Sequence, residues 1–166
     1  MIRIFLILLI TFSFNLSQGF SQIIDSSFFG WTIYELQKNE FEEKKCYMVN
    51  YPIKSESDHN SRARPYIMIM RYKNKRVEEF SIHSGFEYRL HSKVFVSIDD
   101  QIFQMTTNED MAWSKTKKED AIIIQKILNS ANLKTRADSS IATFAVDEYS
   151  LKGVARAYNR LKSICE

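Results

Sequence analysis

The apolar and polar positions between residues 30 and 107 recur with a period of two, which is typical of short β-strands. Residues 45–51 alternate cleanly. Residues 66–72 are so dense in apolar side chains that the pattern predicts a strand buried on both faces. Asp99-Asp100 marks a turn between two β-rich runs. The other predicted strands cover 31–35, 76–83, 93–99 and 101–106, with a shorter candidate at 86–89. This spacing predicts a mainly β, antiparallel, sandwich-like domain.

Two later segments follow a helical period. Thr116 and Glu119 form a capping box, in which the Thr side chain binds the amide of Glu119, and a helix is predicted near 117–131. Its expected apolar side comprises Ala121, Ile123, Ile124, Ile127, Leu128 and Ala131. A C-terminal helix is predicted near 150–164, with Ser150 as its N-cap residue. The stripe that should dock it on the sheet comprises Leu151, Val154, Ala155, Tyr158, Leu161 and Cys165. Between the helices, strands are predicted at 133–137 and 141–146.

The first 21 residues have the pattern of a secretory signal peptide. Arg3 supplies one positive charge, an apolar run of about eleven residues follows, and the small residues Gly19 and Ser21 stand at the exit. We predict cleavage after Ser21, with cleavage after Gly19 as the alternative. A retained N-terminal anchor helix is a further alternative, although the run is shorter than the roughly 20 residues of a membrane span. The mature chain, residues 22–166, is then one periplasmic or secreted domain with no membrane span.

Charge and cysteine content narrow the choice of compartment and partner. Cleavage removes Arg3 and no acid, so the net charge falls from +3 to +2. The scattered basic residues do not form the dense stripe of a nucleic-acid binder, which excludes nucleic acid as the expected partner. Cys46 and Cys165 are the two cysteines, and an oxidising compartment favours a disulfide between them. Two separate buried thiols are the alternative.

One polar stretch, residues 54–65, contains no large apolar residue and ends in Pro65. We interpret it as a long exposed loop between two strands, because Gly and Pro are too rare in this chain for a flexible linker between domains. Its basic residues, Arg62 and Arg64, are interpreted as solvated surface, like the lysine clusters elsewhere.

The residues that carry chemistry do not form a recognisable constellation. His59, His83 and His91 make no metal-ligand pair, and the motifs of nucleophilic hydrolases, P-loops and dinucleotide sites are missing. The adjacent acids are interpreted as exposed positions, because neighbours in a strand point to opposite sides; they are Glu78-Glu79, Asp99-Asp100 and Glu109-Asp110. We therefore predict no catalytic, cofactor-binding or metal-binding residue. The tyrosines Tyr51, Tyr66 and Tyr72 can fill the core or line a groove.

Several local patterns resemble one family. The residues that carry the resemblance are Cys46-Tyr47-Met48-Val49 with Pro52, Pro65-Tyr66, Gly85-Phe86-Glu87-Tyr88, Ala112-Trp113, and Asp147-Glu148-Tyr149-Ser150-Leu151-Lys152-Gly153 before a helix that ends in Cys. In this order they resemble the invasion-associated locus B family of bacterial exported proteins, from about Gly30 to Cys165. The chain departs from the family pattern at three places. Glu35 stands where many members have an extra Cys, Asp138-Ser139-Ser140-Ile141 replaces a Ser-Arg-Gly-Thr-like turn, and Val154 replaces a Phe.

The resemblance implies a β-sandwich-like fold, an envelope or secreted location and no assigned catalytic residues. The matched residues are interpreted as structural. Asp147 and Ser150 should cap the last helix, and Gly153 should allow close packing. Trp113 should plug the core ahead of the first helix, and Tyr149 is assigned to the same structural motif.

Three functions remain open at this point. The first is an exported, non-enzymatic interaction module of the bacterial envelope, with an envelope or host protein or glycan as its unknown partner and with host-cell association as one role. The second is a small envelope hydrolase whose site forms only in three dimensions. The third is a structural envelope protein that binds peptidoglycan or outer-membrane components. The oligomeric state and the ligand are not determined by the sequence.

Overall fold

The computed structural model describes residues 21–37, 45–73 and 77–166. The predicted signal peptide lies outside the described residues, except for Ser21. The elements, in chain order, are β1 (Ser21–Phe28), β2 (Trp31–Gln37), β3 (Lys45–Asn50), β4 (Lys54–Ser57), β5 (Tyr66–Tyr72), β6 (Val77–His83), β7 (Lys93–Ile98), β8 (Gln101–Asn108), β9 (Met111–Trp113), α1 (Lys117–Asn129), β10 (Asn132–Asp138), β11 (Phe144–Ser150) and α2 (Val154–Ile164).

The described strands form one antiparallel sheet in the order β1-β2-β3-β5-β6-β9-β8-β7-β10-β11-β4. Side chains from both halves of this order, and from both helices, enter a single hydrophobic core. The predicted mainly β, sandwich-like class with two helices is confirmed. Three short or flanking strands were not predicted, namely β1, β4 and β9, and the strand predicted at 141–146 begins only at Phe144.

The predicted burial of β5 on both faces is wrong. Ile67 and Ile69 point into the core and are fully buried, whereas Met68 and Met70 alternate with them and are half-buried on the opposite face. An antiparallel sheet commonly packs only one face on a core. The apolar side chains on the other face of β5 therefore contribute to a surface.

Helix α1 begins as predicted. The Thr116 hydroxyl accepts a hydrogen bond from the Glu119 amide at 3.2 Å, and the Glu119 carboxylate reaches back to the Lys115 amide at 2.8 Å. The buried side of the helix consists of Asp120, Ile123, Ile124 and Ile127. Ala121 and Ala131, which were predicted on the apolar side, are exposed.

Asp120 joins α1 to the sheet. Its carboxylate accepts a hydrogen bond from the buried amide of Phe80 at 2.9 Å. Phe80 lies in β6, so the helix is tied to a central strand by a polar contact as well as by its isoleucines.

Helix α2 begins at Val154, four residues later than predicted, because β11 continues to Ser150. Its N-cap is Gly153 in the left-handed region (φ 81°), with no side-chain cap. The predicted capping roles of Asp147 and Ser150 are therefore wrong. A Cβ at position 153 would lie 2.7 Å from a ring carbon of Phe29, so both the backbone and the space require glycine here. On the helix, Ala157 is buried where the pattern predicted Ala155.

Cys46 in β3 and Cys165 after α2 form the predicted disulfide, with Cα atoms 5.9 Å apart. Both residues are fully buried. The bond joins an early central strand to the end of the chain, so it holds α2 against β2 and β3. This confirms the pairing over the alternative of two separate thiols.

Candidate functional site

Arg62 is the centre of a buried polar cluster, although its segment was predicted to be an exposed loop. Its Nε donates to the carbonyl of Ser84 at 2.6 Å, and Nη1 donates to the Ser55 hydroxyl at 2.7 Å. Nη1 also donates to Asp147 Oδ1 at 3.0 Å, and Nη2 pairs with the other carboxylate oxygen. Only 9% of the Arg62 side chain and 1% of the Asp147 side chain are exposed. The prediction that Arg62 is solvated is wrong.

The elements around Arg62 explain why it is buried. The segment that carries it crosses the β6–β7 connection, where the Ala63 amide donates to the carbonyl of Gly85 at 2.8 Å. Gly85 has a positive φ of 82°, and a Cβ there would collide with the carbonyl oxygen of Ala63. Phe86 then covers the guanidinium from one side, at 5.5 Å.

The cluster of Arg62, Asp147 and Ser55 has the geometry of a structural latch. Asp147 accepts from Arg62 with both carboxylate oxygens and from the Ser55 hydroxyl at 2.6 Å. A fully paired carboxylate is a poor general base, and a guanidinium cannot act as a general acid. The contacts instead join β4 and the segment after it to β11, which is the role that the structure supports for Asp147.

Arg64 lies two residues further along the chain, and its side chain points away from the buried cluster of Arg62. Its guanidinium lies over the ring of Tyr51, 3.5 Å from the centroid. The Arg64 side chain is exposed, and no carboxylate of the described residues forms an ion pair with it. Arg62 therefore anchors the segment from inside, and Arg64 presents a charge outside.

The face of the sheet beside Arg64 forms an open groove that we call the tyrosine groove. It lies on the face of β2, β3 and β5 opposite the core and encloses about 370 Å³. Apart from the amide of Gln22, the described residues of its lining are apolar or phenolic, and none of them is charged. They are Gln22, Tyr34, Leu36, Tyr47, Val49, Tyr51, Tyr66, Met68 and Met70.

Strand register brings these residues together. Tyr34 pairs with Tyr47 across β2 and β3, and Tyr47 pairs with Met70 across β3 and β5. The rings of Tyr34 and Tyr47 stack with centroids 4.9 Å apart. Tyr66 similarly stacks on His83 at 5.0 Å. The groove therefore has a fixed aromatic floor.

Three phenols of the groove, Tyr34, Tyr47 and Tyr66, have a raised pKa. Burial and the neighbouring phenols raise the pKa of Tyr47 to about 12. Burial and contact with Tyr51 raise the pKa of Tyr34, and burial together with the charge of Asp110 raises the pKa of Tyr66. At neutral pH the groove offers hydroxyl donors and acceptors without charge.

A second cavity of about 460 Å³ continues the tyrosine groove and shares Tyr34 and Tyr51 with it. Of the described residues in its lining, only Arg64 is charged. Three of its apolar side chains are strongly exposed: Ile24 at 63%, Phe29 at 58% and Ile53 at 67%. Exposed apolar side chains gathered at one place are characteristic of binding surfaces.

The remaining predicted structural residues lie apart from the groove lining. Tyr149 is fully buried in the core, where burial and the charge of Asp147 raise its pKa well above the ordinary value. Trp113 lies in β9 and is half-buried, whereas Trp31 is the tryptophan that fills the core. Ser150 ends β11, and its carbonyl accepts from the Asn50 amide group at 2.7 Å.

One of the acid pairs predicted to be exposed is not. Glu78 pairs with Arg71 beside the core, with 20% of its side chain exposed. Burial, and next the charge of Asp120, raise the pKa of Glu79. The pairs Asp99-Asp100 and Glu109-Asp110 are exposed as predicted.

Within the described ranges, no three His, Cys, Asp or Glu side chains lie together in a way that could hold a metal ion. His83 Nε2 lies 3.2 Å from Asp110 Oδ2, and the imidazole ring stacks on the ring of Tyr66. None of the helices described is long and apolar enough to cross a bilayer.

Sequence reasoning left the groove residues undecided for an identifiable reason. The sequence pattern allows Tyr51 and Tyr66 either in the core or in a groove, and it predicts Met68 and Met70 in a doubly buried strand. The alternation of β3 indicates two faces, with Tyr47, Val49 and Tyr51 on one of them, but alternation does not say which face meets the core. Arg62 gave no usable signal, because its partner Asp147 is 85 residues away.

Comparison with known proteins places the fold and the motifs in context. The crystal structure of invasion associated protein b from Bartonella henselae matches with a TM-score of 0.58 and 13% identity, over 84% of this chain and 96% of that chain. Comparison with curated protein sequences gives no significant match. The family model for the invasion associated locus B (IalB) protein matches residues 31–162, most of the chain, and the chain therefore belongs to the invasion associated locus B family.

Proposed function

We propose that the protein is an exported, non-enzymatic interaction module of the bacterial envelope, and that it binds its partner through the tyrosine groove. Membership of the invasion associated locus B family supports the invasion-associated context. The observation that carries the proposal is the groove itself, an open aromatic surface that continues into exposed apolar side chains. Tyr is enriched at protein interfaces because it presents a large apolar area with a polar tip.

Two further observations support export and a binding role. The buried Cys46–Cys165 disulfide is the kind of crosslink that persists in oxidising compartments. Arg62 and Asp147 form a buried polar cluster. Arg62 donates hydrogen bonds to Asp147 and to the Ser84 carbonyl, and Asp147 accepts one from Ser55. They stabilise the fold around the groove and leave no activated nucleophile in the cluster.

The export part is tested by N-terminal sequencing of the exported protein. We expect the mature chain to begin at Gln22. An exported or envelope-bound protein that still begins at Met1 would contradict cleavage. Recovery of the protein from the cytoplasm alone would contradict export.

The binding part is tested with envelope fractions and a matched control. We expect Tyr34→Ser combined with Tyr51→Ser to weaken sedimentation with the envelope fraction by about tenfold or more, the size of a lost aromatic anchor. The control is Ile102→Ser, which removes an apolar side chain that is 69% exposed on β8. Thermal melts of each variant show that it is folded.

Two outcomes would overturn the proposal. In the first, the groove variant and the control bind equally well. In the second, the purified protein turns over a generic ester or glycan.

A further inference from the structure

We propose that the tyrosine groove and its continuation bind an extended acidic peptide, and that Arg64 receives a carboxylate of that peptide. This inference rests on the proposed function, because it names the class of partner for the same surface. It concerns the chemistry of the ligand and assigns Arg64 as the residue that determines specificity.

The charge of the surface favours an anionic ligand. Among the residues that the structure describes, none of those lining the tyrosine groove is charged, and Arg64 is the one charged residue that lines the adjoining cavity. A cation without a carboxylate partner in the described residues favours an anion on the ligand, and the ammonium of Lys152, 4.8 Å from the ring of Phe29, adds positive charge beside the same cavity. Among the described residues neither cavity is lined by an acid, so the lining itself does not repel an acidic ligand.

Arg64 is held in a preorganised position. The chain on its N-terminal side is held by Arg62, whose guanidinium is bound to Asp147, Ser55 and Ser84. The chain on its C-terminal side enters β5 directly after the buried Pro65. Arg64 therefore stands on a short backbone segment that is fixed at both ends, and its guanidinium is further oriented by the ring of Tyr51 at 3.5 Å. Such preorganisation lowers the entropic cost of binding.

The open shape of the surface favours an extended peptide over an acyl chain. The two cavities follow each other across Tyr34 and Tyr51, and both are open rather than enclosed. An acyl chain is best sheltered in a closed apolar cavity, whereas an extended peptide fits an open groove and places alternate side chains in it. Ile24, Phe29 and Ile53 offer apolar contacts near Arg64. The phenol groups and Gln22 offer hydrogen bonds to peptide groups.

The edge of the sheet provides a place for the peptide backbone. Among the described strands, β1 pairs with β2 alone and stands first in the strand order. Its residues Gln22 and Ile24 line the two cavities. A peptide added beside β1 would form backbone hydrogen bonds and bring its side chains toward the same surface.

The experiment is a selection of random nonapeptides displayed on phage, performed in parallel on the mature wild-type protein, on Arg64→Glu and on Arg136→Glu. Arg136 is the matched control, because it is also an exposed Arg near an aromatic ring, at 6.0 Å from Phe144, and lies outside both cavities. We expect the wild-type and Arg136→Glu pools to be enriched in Asp and Glu among apolar residues. The Arg64→Glu pool should lose this enrichment and gain Lys and Arg.

A quantitative arm uses one peptide synthesised from the wild-type pool. Changing its enriched carboxylate to the amide should weaken binding to the wild-type protein by about tenfold or more, the size expected for one charge-assisted hydrogen bond. The same change should not weaken binding to Arg64→Glu, because there it removes the repulsion between two carboxylates. An equal effect on both proteins would overturn the role of Arg64.

The outcomes separate this inference from the proposed function. Wild-type pools without acid enrichment, or no selected peptide at all, would overturn the acidic-peptide inference. The proposed function would still stand if the Tyr34 and Tyr51 variant lost its envelope binding. Arg64-dependent binding to vesicles of phosphatidylglycerol and phosphatidylethanolamine, without selected peptides, would replace the peptide by an anionic lipid and also overturn the inference.

Discussion

At the scale of single residues, Arg62 and Arg64 have the same side chain but different burial and therefore different roles. They lie two positions apart in one polar stretch of the sequence. Arg62 is buried and each of its three guanidinium nitrogens donates a hydrogen bond, because Ser84, Ser55 and Asp147 converge on it from three other segments. Arg64 is exposed, and among the described residues its guanidinium lies over the ring of Tyr51. The first residue stabilises the fold, and the second is available to a partner.

The buried pair leads to a prediction about stability. Asp147→Ala should lower the free energy of unfolding by about 3–5 kcal/mol, because it leaves the Arg62 guanidinium buried without its counter-ion. Urea unfolding followed by circular dichroism measures the change.

The neighbouring residue supplies the control. Glu148→Ala removes a carboxylate from the same strand, but its pairing with Lys134 is at the surface and the midpoint of unfolding should change little. Equal and small effects of the two substitutions would contradict the assignment of Asp147 as part of a latch.

At the scale of elements, the junction between β11 and α2 explains one error of the sequence reasoning. Ser150 is a good N-cap residue, so the pattern placed the helix start there. In the fold, the β11 register with β10 continues to Ser150, and the strand hydrogen bonds keep that residue extended. The turn that follows needs a positive φ, which Gly153 supplies before Val154 opens the helix.

The disulfide is the covalent link between elements and gives a second prediction. Replacing both Cys46 and Cys165 by Ala should lower the free energy of unfolding by about 2–5 kcal/mol, because the open chain gains conformational entropy when it unfolds. We expect hydrogen exchange to show the largest loss of protection in α2, which the bond holds against β2 and β3.

The wild-type protein under reducing conditions is the matched comparison for this variant. It should show the same loss of stability and of α2 protection. If the oxidised wild type and the double variant had equal midpoints of unfolding, the crosslink would contribute nothing to stability.

At the scale of the whole molecule, buried phenols couple folding to alkaline pH. Burial raises the pKa of Tyr47 to about 12 from an ordinary value near 10, and burial also raises the pKa of Tyr88 and Tyr149. Between these pH values the unfolded chain loses phenolic protons that the folded chain keeps. The unfolded state then binds fewer protons, so the free energy of unfolding falls as pH rises.

We therefore expect stability to be unaffected by these phenols below about pH 9 and to decline from about pH 10 upward. Urea unfolding at a series of pH values measures the decline, and absorbance at the phenolate band reports ionisation. Tyr47→Phe should make the decline shallower, because it removes one of the coupled groups. An unchanged slope in that variant would show that Tyr47 ionises equally in both states.

Local pattern was sufficient for much of the architecture. Period-two alternation identified β3, a dense apolar run identified β5, and the Thr116 and Glu119 capping box identified the start of α1. The order of short motifs indicated the family. The site was only partly predictable. Tyr51 and Tyr66 were recognised as groove candidates, but Arg62 and Asp147 were given other roles, because no local pattern connects residues so far apart.

By itself, the sequence determined the mainly β class, the two helices and the two cysteines that pair, because periodicity, capping and thiol content act locally or through composition. The tertiary structure alone decided which face of β3 and β5 meets the core, and therefore that the tyrosines form a groove. It also decided that Arg62 is buried and Arg64 exposed. These outcomes depend on strand order and on contacts between distant segments, which bring Ser55, Ser84 and Asp147 to one point.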